Sequence, residues 1–175
     1  MFSLCSISDG VPRHLLPIAV LLAALQAAPA LAACTDPAAP DVVWRRCLLD
    51  GNDLTGADLS RGHLRDASLQ RARLVGATMV SVDAFQARFV SADLSGADLT
   101  EATLREADFT RALLRGAKLV RADLRRARLF RADLTGADLT GADLGGADFS
   151  NAILDGARWT DGRRICAAGS VGNCQ

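Results

Sequence analysis

From Leu54 to Trp159 every fifth residue is a large apolar side chain except Ala84, and the residue two places earlier is alanine in all but Asn52, Gly62 and Val82. Of the 22 five-residue units, sixteen centre on leucine, three on Phe89, Phe109 and Phe149, and one each on Met79 and Trp159. The three intervening positions are mostly polar, charged or glycine. A single unit of this kind cannot bury its own two apolar residues, so the units must stack and bury them along one continuous axis.

Period five is incompatible with either regular element. On a helix a five-residue step rotates by about 140°, which spreads the leucines round the surface and leaves no apolar stripe. Gly56, Gly76, Gly96, Gly116, Gly136 and Gly156 would also fall inside such a helix, at about 1 kcal/mol each. A long strand needs period two. A chain that turns a corner every five residues, with two positions inward and three outward, satisfies the pattern.

Ala57-Asp58-Leu59-Ser60, Ala97-Asp98-Leu99-Thr100 and Gly136-Ala137-Asp138-Leu139-Thr140-Gly141-Ala142-Asp143-Leu144 resemble the pentapeptide-repeat family. The resemblance implies an all-β fold, a right-handed quadrilateral β-helix with four units per coil. Two patterns in the chain agree with a 20-residue coil. The six glycines named above recur every 20 residues, as expected if one corner requires positive φ in every layer. Among the aspartates that precede the central residues, only Asp123 and Asp143 lie 20 apart, whereas offsets of 15 or 25 would each stack five pairs of like charges. The expected coil therefore stacks Leu54, Leu74, Leu94, Leu114, Leu134 and Leu154 in one ladder. Phe89, Phe109 and Phe149 fall in another, inside the tube with Leu69 and Leu129. With 22 units this gives 5.5 coils, a rod of about 26 Å at a strand spacing of about 4.8 Å.

The ends depart from the pattern. Arg13 and His14 precede an apolar run from Leu15 to Leu25, and Ala30-Leu31-Ala32 before Ala33 is a signal-peptide cleavage pattern. Residues 1–33 are expected to be a signal peptide outside the fold; the stretch before Arg13 leaves two starts open, Met1 and Val11. An N-terminal cap over 34–48, the β-helix over 49–161 and a C-terminal cap over 162–175 follow, with Trp44 and Trp159 as lids over the apolar interior. Such lids would protect strand edges that otherwise invite association. Cys34, Cys47, Cys166 and Cys174 fall two to each cap, and in an exported chain they suggest Cys34–Cys47 and Cys166–Cys174 disulfides. Periplasmic or secreted location is the expectation. Leu31-Ala32-Ala33-Cys34 also resembles a lipobox, so a lipoprotein anchored through Cys34 is the alternative.

Formal charge balances at 20 basic and 20 acidic residues, but it is unevenly placed. Between Glu101 and Arg131 nine basic residues face four acidic ones, whereas from Asp133 to Asp161 six aspartates face Arg158 alone. Arg105, Arg111, Arg125, Arg126, Arg128 and Arg131 form the candidate surface for an anionic partner, with an exposed Phe130 nearby. Nucleophile motifs and phosphate-binding glycine loops are absent from the sequence, and its two histidines, His14 and His63, form no triad or metal spacing. No enzyme, cofactor or metal is expected. The aspartates are expected to bond backbone amides at the corners. The favoured reading is a non-catalytic structural or protein-interaction module of the bacterial envelope. The resemblance also implies a second possibility, since family members bind DNA gyrase by mimicking B-DNA. That mimicry demands a strongly acidic surface, whereas the repeats carry 15 Lys and Arg against 17 Asp and Glu, and export would separate the chain from gyrase.

Overall fold

A computed structural model describes residues 34–175; the expected signal peptide, 1–33, lies outside the described residues. The chain is a β-helical solenoid in which single parallel bridges join residues 20 apart, from Val43↔His63 to Asp138↔Arg158. A corner with positive φ recurs every fifth residue from Asp41 to Gly156, so each 20-residue layer has four corners and four sides. The sides are named by interior residues: the Leu54, Leu59, Leu64 and Phe89 sides.

Backbone amides explain the repeat position by position. In the unit centred on Leu54, the Leu54 N–H donates to Arg73 C=O in the next layer and the corner Gly56 N–H to Val75 C=O. Ala57 N–H closes a local turn onto Leu54 C=O, and Thr78 N–H reaches down to Ala57 C=O. One amide per unit, that of the residue after the central one, has no place in this ladder. Aspartate fills the need: Asp53 Oδ1 accepts from Thr55 N–H at 3.1 Å and from Thr55 Oγ1 at 2.6 Å. The same arrangement holds for Asp58 with Ser60, Asp93 with Ser95, Asp98 with Thr100, Asp133 with Thr135 and Asp138 with Thr140. A short acceptor two residues before an orphan donor is an Asx turn, and it is why Asp-Leu-Ser/Thr recurs.

The interior is a file of leucines and alanines. Leu74, Leu94, Leu114, Leu134 and Leu154 are fully buried and Leu54, near the N-terminal end, is 8% exposed. Phe89 and Phe109 are also fully buried, with stacked rings 4.9 Å apart and 5° from parallel. Each buried leucine or phenylalanine contributes about 1.5–3 kcal/mol relative to exposure, and alanine fills the second inward position, buried on most layers.

Three features differ from the sequence expectations. Positive φ is required at every corner, not at the glycine column alone: Arg111 (59°), Glu106 (57°) and Ser91 (57°) adopt it as Gly96 (67°) does. A Cβ at Gly56, Gly76, Gly96, Gly116, Gly136 or Gly156 would meet nothing within 4 Å, so no neighbouring atom reserves that column for glycine; only the positive φ favours it, as at every other corner. The layers also begin inside the stretch assigned to the N-terminal cap over 34–48. Asp41 and Arg46 are corners, Trp44 is 2% exposed at a central position, and Cys47 is buried at an alanine position. Trp44 is therefore part of the stack, with its Nε1–H donating to Asp36 C=O at 3.2 Å.

Phe149 is the third difference, for it is half-buried instead of enclosed. After Trp159 the chain doubles back antiparallel, pairing Arg158↔Ile165 and Ile153↔Val171. Leu154, Gly156 and Trp159 amides thereby find Ser170, Cys166 and Arg164 carbonyls. This return covers the Leu54 and Leu59 sides. On the other two sides Leu144, Gly146, Phe149 and Asn151 amides have no hydrogen-bond partner among the described residues. Phe149 consequently packs against the half-buried Trp159, 6.0 Å away, at an open edge.

Candidate functional site

Outward side chains lie in columns one layer apart, so charges that are 20 residues distant in sequence become neighbours. Asp41 accepts from Arg61 Nη2 at 2.7 Å, Glu101 from Arg121 Nη2 at 2.6 Å, and Asp98 from Lys118 Nζ at 3.3 Å. Asp133, nearly buried, accepts from Arg115 Nε at 2.6 Å. The Thr55 hydroxyl and then the Thr55 amide bonding to Asp53 lower that carboxyl below its ordinary range, against a small effect of burial. At Asp133 burial is the largest single influence and pushes upward, but the bonds from Thr135 and Arg115 together bring the pKa below its ordinary value.

The structure divides the six candidate arginines instead of presenting them as one free surface. Arg125 bonds Asp123 at 2.6 Å and lies 3.5 Å from Asp143, the one pair of stacked aspartates. Its guanidinium therefore relieves the repulsion between them. Arg126 lies 3.9 Å from Glu106, and Arg128 lies 3.6 Å from Asp108. Arg105 is half-buried on the Leu64 side, its Nε unpartnered. Arg111 and Arg131 are exposed, stand on successive layers of the corner after the Phe89 side, and make no ion pair with a described residue. The expected exposed Phe130 is half-buried because the Arg131 guanidinium lies over its ring, 5.0 Å from the centroid. Sequence reasoning found the arginines by composition; it missed that carboxylates of the same or the neighbouring layer neutralise half of them, although the 20-residue offset contained the Arg126–Glu106 and Arg128–Asp108 pairs.

The cysteines are joined as Cys34–Cys47, with Cα atoms 5.3 Å apart, and Cys166–Cys174, 4.8 Å apart. The first ties the leading segment to the interior through buried Cys47; the second closes the returning segment at the opposite end. Among the described residues no group of His, Cys, Asp or Glu is placed to hold a metal ion, and no helix is long and apolar enough to cross a membrane. His63 is half-buried with its Nδ1 unpartnered, on the Leu64 side between Val43 and Asp83.

Among solved structures, HetL, involved in heterocyst differentiation regulation in the cyanobacterium Nostoc sp. strain PCC 7120, is 30% identical, covering 70% of this chain and 76% of that one with a TM-score of 0.36. Rfr23 from the cyanobacterium Cyanothece 51142 is 28% identical, covering 64% and 86%, with a TM-score of 0.46. Full-length QnrB1, a plasmid-mediated fluoroquinolone resistance protein, is 19% identical, covering 69% and 71%, with a TM-score of 0.32. No curated protein matches the chain. The family described as pentapeptide repeats matches in eight copies over residues 47–83, 92–129, 107–146 and 127–158. More than half of the sequence thus follows the family pattern, and the chain belongs to the pentapeptide-repeat family.

Proposed function

We propose that this protein is an exported, non-catalytic binding module of the bacterial envelope: a right-handed quadrilateral β-helix of about six coils, its positive-φ corners recurring four to a layer from Asp41 to Gly156, whose outer arginines engage an anionic partner. The observation that carries the reading is the disposition of the chemistry-bearing side chains. They stand in outward columns on a convex tube, mostly committed to neighbouring layers, while the exposed Arg111 and Arg131 remain unpaired among the described residues. Such a surface can hold a partner by charge, but it brings no nucleophile and base together.

Export is supported by the Ala30-Leu31-Ala32 pattern and by two disulfides, which persist in oxidising compartments. The soluble form is favoured over lipid anchoring because the Cys34 sulfur is engaged by Cys47, and lipidation needs that sulfur free. Gyrase mimicry is disfavoured by the surface arginines that pair with carboxylates on every side of the rod.

The full chain should therefore be expressed with its own leader in a Gram-negative host and fractionated. Soluble periplasmic protein starting near Cys34, with no free thiol and with salt-sensitive retention on an anionic matrix, is the expected result. Cytoplasmic accumulation of the unprocessed chain would refute export, and diacylated Cys34 would establish the lipoprotein alternative.

A further inference from the structure

The four corner columns differ in a way the overall charge conceals. The corner after the Leu54 side carries glycine from Gly56 to Gly156. The corner after the Leu59 side pairs Arg61 with Asp41 and Arg121 with Glu101, and the corner after the Leu64 side pairs Arg126 with Glu106, which also accepts from Gln86. The corner after the Phe89 side reads Arg71, Ser91, Arg111, Arg131 and Asn151 over five successive layers. It contains no carboxylate, all five residues are exposed, and Arg71, Arg111 and Arg131 make no ion pair among the described residues.

The surroundings keep this column available. The adjoining outward column, Gln70, Val90, Thr110, Phe130 and Ser150, is also free of carboxylates over these five layers; Asp50, one layer before Gln70, already accepts from Ser68 Oγ and Gln70 N–H. The nearest acids are already engaged: Asp108 by Thr110 N–H and Arg128, Asp148 by Ser150 N–H, Asp93 by Ser95, and Asp133 by Thr135 and Arg115. Phe130 holds the Arg131 guanidinium by a cation–π contact, which fixes its position without neutralising it.

We infer that the Arg71–Arg111–Arg131 corner binds a linear acidic polysaccharide laid along the rod axis. This deepens the proposed function and rests on it, export supplying the reason to choose a glycan. Layers about 4.8 Å apart put Arg111 and Arg131 at adjacent steps and Arg71 two steps further, a line of about 19 Å from Arg71 to Asn151. Guanidinium forks match carboxylate or sulfate oxygens two at a time, and Ser91 and Asn151 add neutral polar groups to the same line. A column one residue wide on a convex edge meets a chain. A planar anionic membrane would instead press a whole side, where Asp108 and Asp148 alternate with Arg88 and Arg128 and offer it no net positive charge.

The test compares two triple variants of the exported full-length product: R71Q/R111Q/R131Q and R61Q/R121Q/R126Q. Both remove three positive charges from corners with positive φ, so general charge and backbone effects are matched. Binding is measured to a soluble polyuronate and a heparin-like glycan, with anionic phosphatidylglycerol vesicles and single-stranded nucleic acid run in parallel. The first triple is expected to lose about tenfold or more in glycan affinity and the second to stay within about threefold of wild type. Equal losses in both triples, or no loss in the first, would overturn the corner assignment while leaving anion binding intact. Discrimination seen with vesicles or nucleic acid but not with glycans would overturn the choice of ligand. Absence of any salt-sensitive binding by the wild type would overturn the underlying functional reading as well.

Discussion

At the scale of single residues, position within the unit decides what a side chain contributes. Phe109 and Phe149 occupy the same column, yet Phe109 stacks on Phe89 in a closed layer and Phe149 lies at the open edge. Replacing Phe109 by Ala should cost about 3–5 kcal/mol as a core truncation, and Phe149→Ala less than half as much; denaturant unfolding of the two variants measures the difference. Equal losses would mean that the last layer is closed in solution. The aspartates set a second expectation. A carboxylate held below its ordinary pKa of 3.8, as Asp53, Asp58, Asp98 and Asp133 are, stabilises the fold fully above that value. The contribution is lost as pH falls through 3.8 toward the folded pKa, where the unfolded chain binds the proton first. The unfolding midpoint should therefore be lower at about pH 3 than at neutrality, and Asp53→Asn should flatten that dependence.

At the scale of the layer, most of the architecture was legible because each position has one dominant demand. The central leucine must be buried, alanine must leave room, and aspartate must accept an amide that the ladder leaves over. The glycine column does mark a corner with positive φ, but the other three corners were not legible, because Arg111 or Glu106 meets the same backbone requirement without glycine. Trp44 was misplaced for a related reason: its neighbours Val42 and Cys47 lack the alanine signature yet fill the same interior slots. The half-covered C-terminal end was not legible at all, since nothing in residues 162–175 states which two sides an antiparallel return will cover. Hydrogen exchange checks that end directly. Amides of Leu144, Gly146, Phe149 and Asn151 should exchange much faster than those of Leu124, Arg126, Leu129 and Arg131 one layer below, which donate to Asp143, Gly145, Asp148 and Ser150. Comparable protection in both sets would require a cover that the chain itself does not supply.

At the scale of the whole molecule, a balanced total charge conceals an ordered surface. Pairing with carboxylates consumes Arg125, Arg126 and Arg128 as part of the stack, and it leaves Arg71, Arg111 and Arg131 as a line without an ion pair among the described residues. Glycine would adopt the same φ at those corners at no steric cost, whereas a non-glycine residue there costs about 1–2 kcal/mol, and apart from the Arg131–Phe130 contact the arginines bring the fold no interaction among the described residues that offsets it. The basic stretch between Glu101 and Arg131 was legible in the sequence, but which of its arginines are paired depends on carboxylates that the coil brings beside them. The most direct test of the account is equilibrium binding of the exported wild-type protein to a soluble polyuronate across a salt series. Measurable affinity at low salt that falls steeply as salt rises is the expected result; no binding at low salt, or an affinity indifferent to salt, would contradict it.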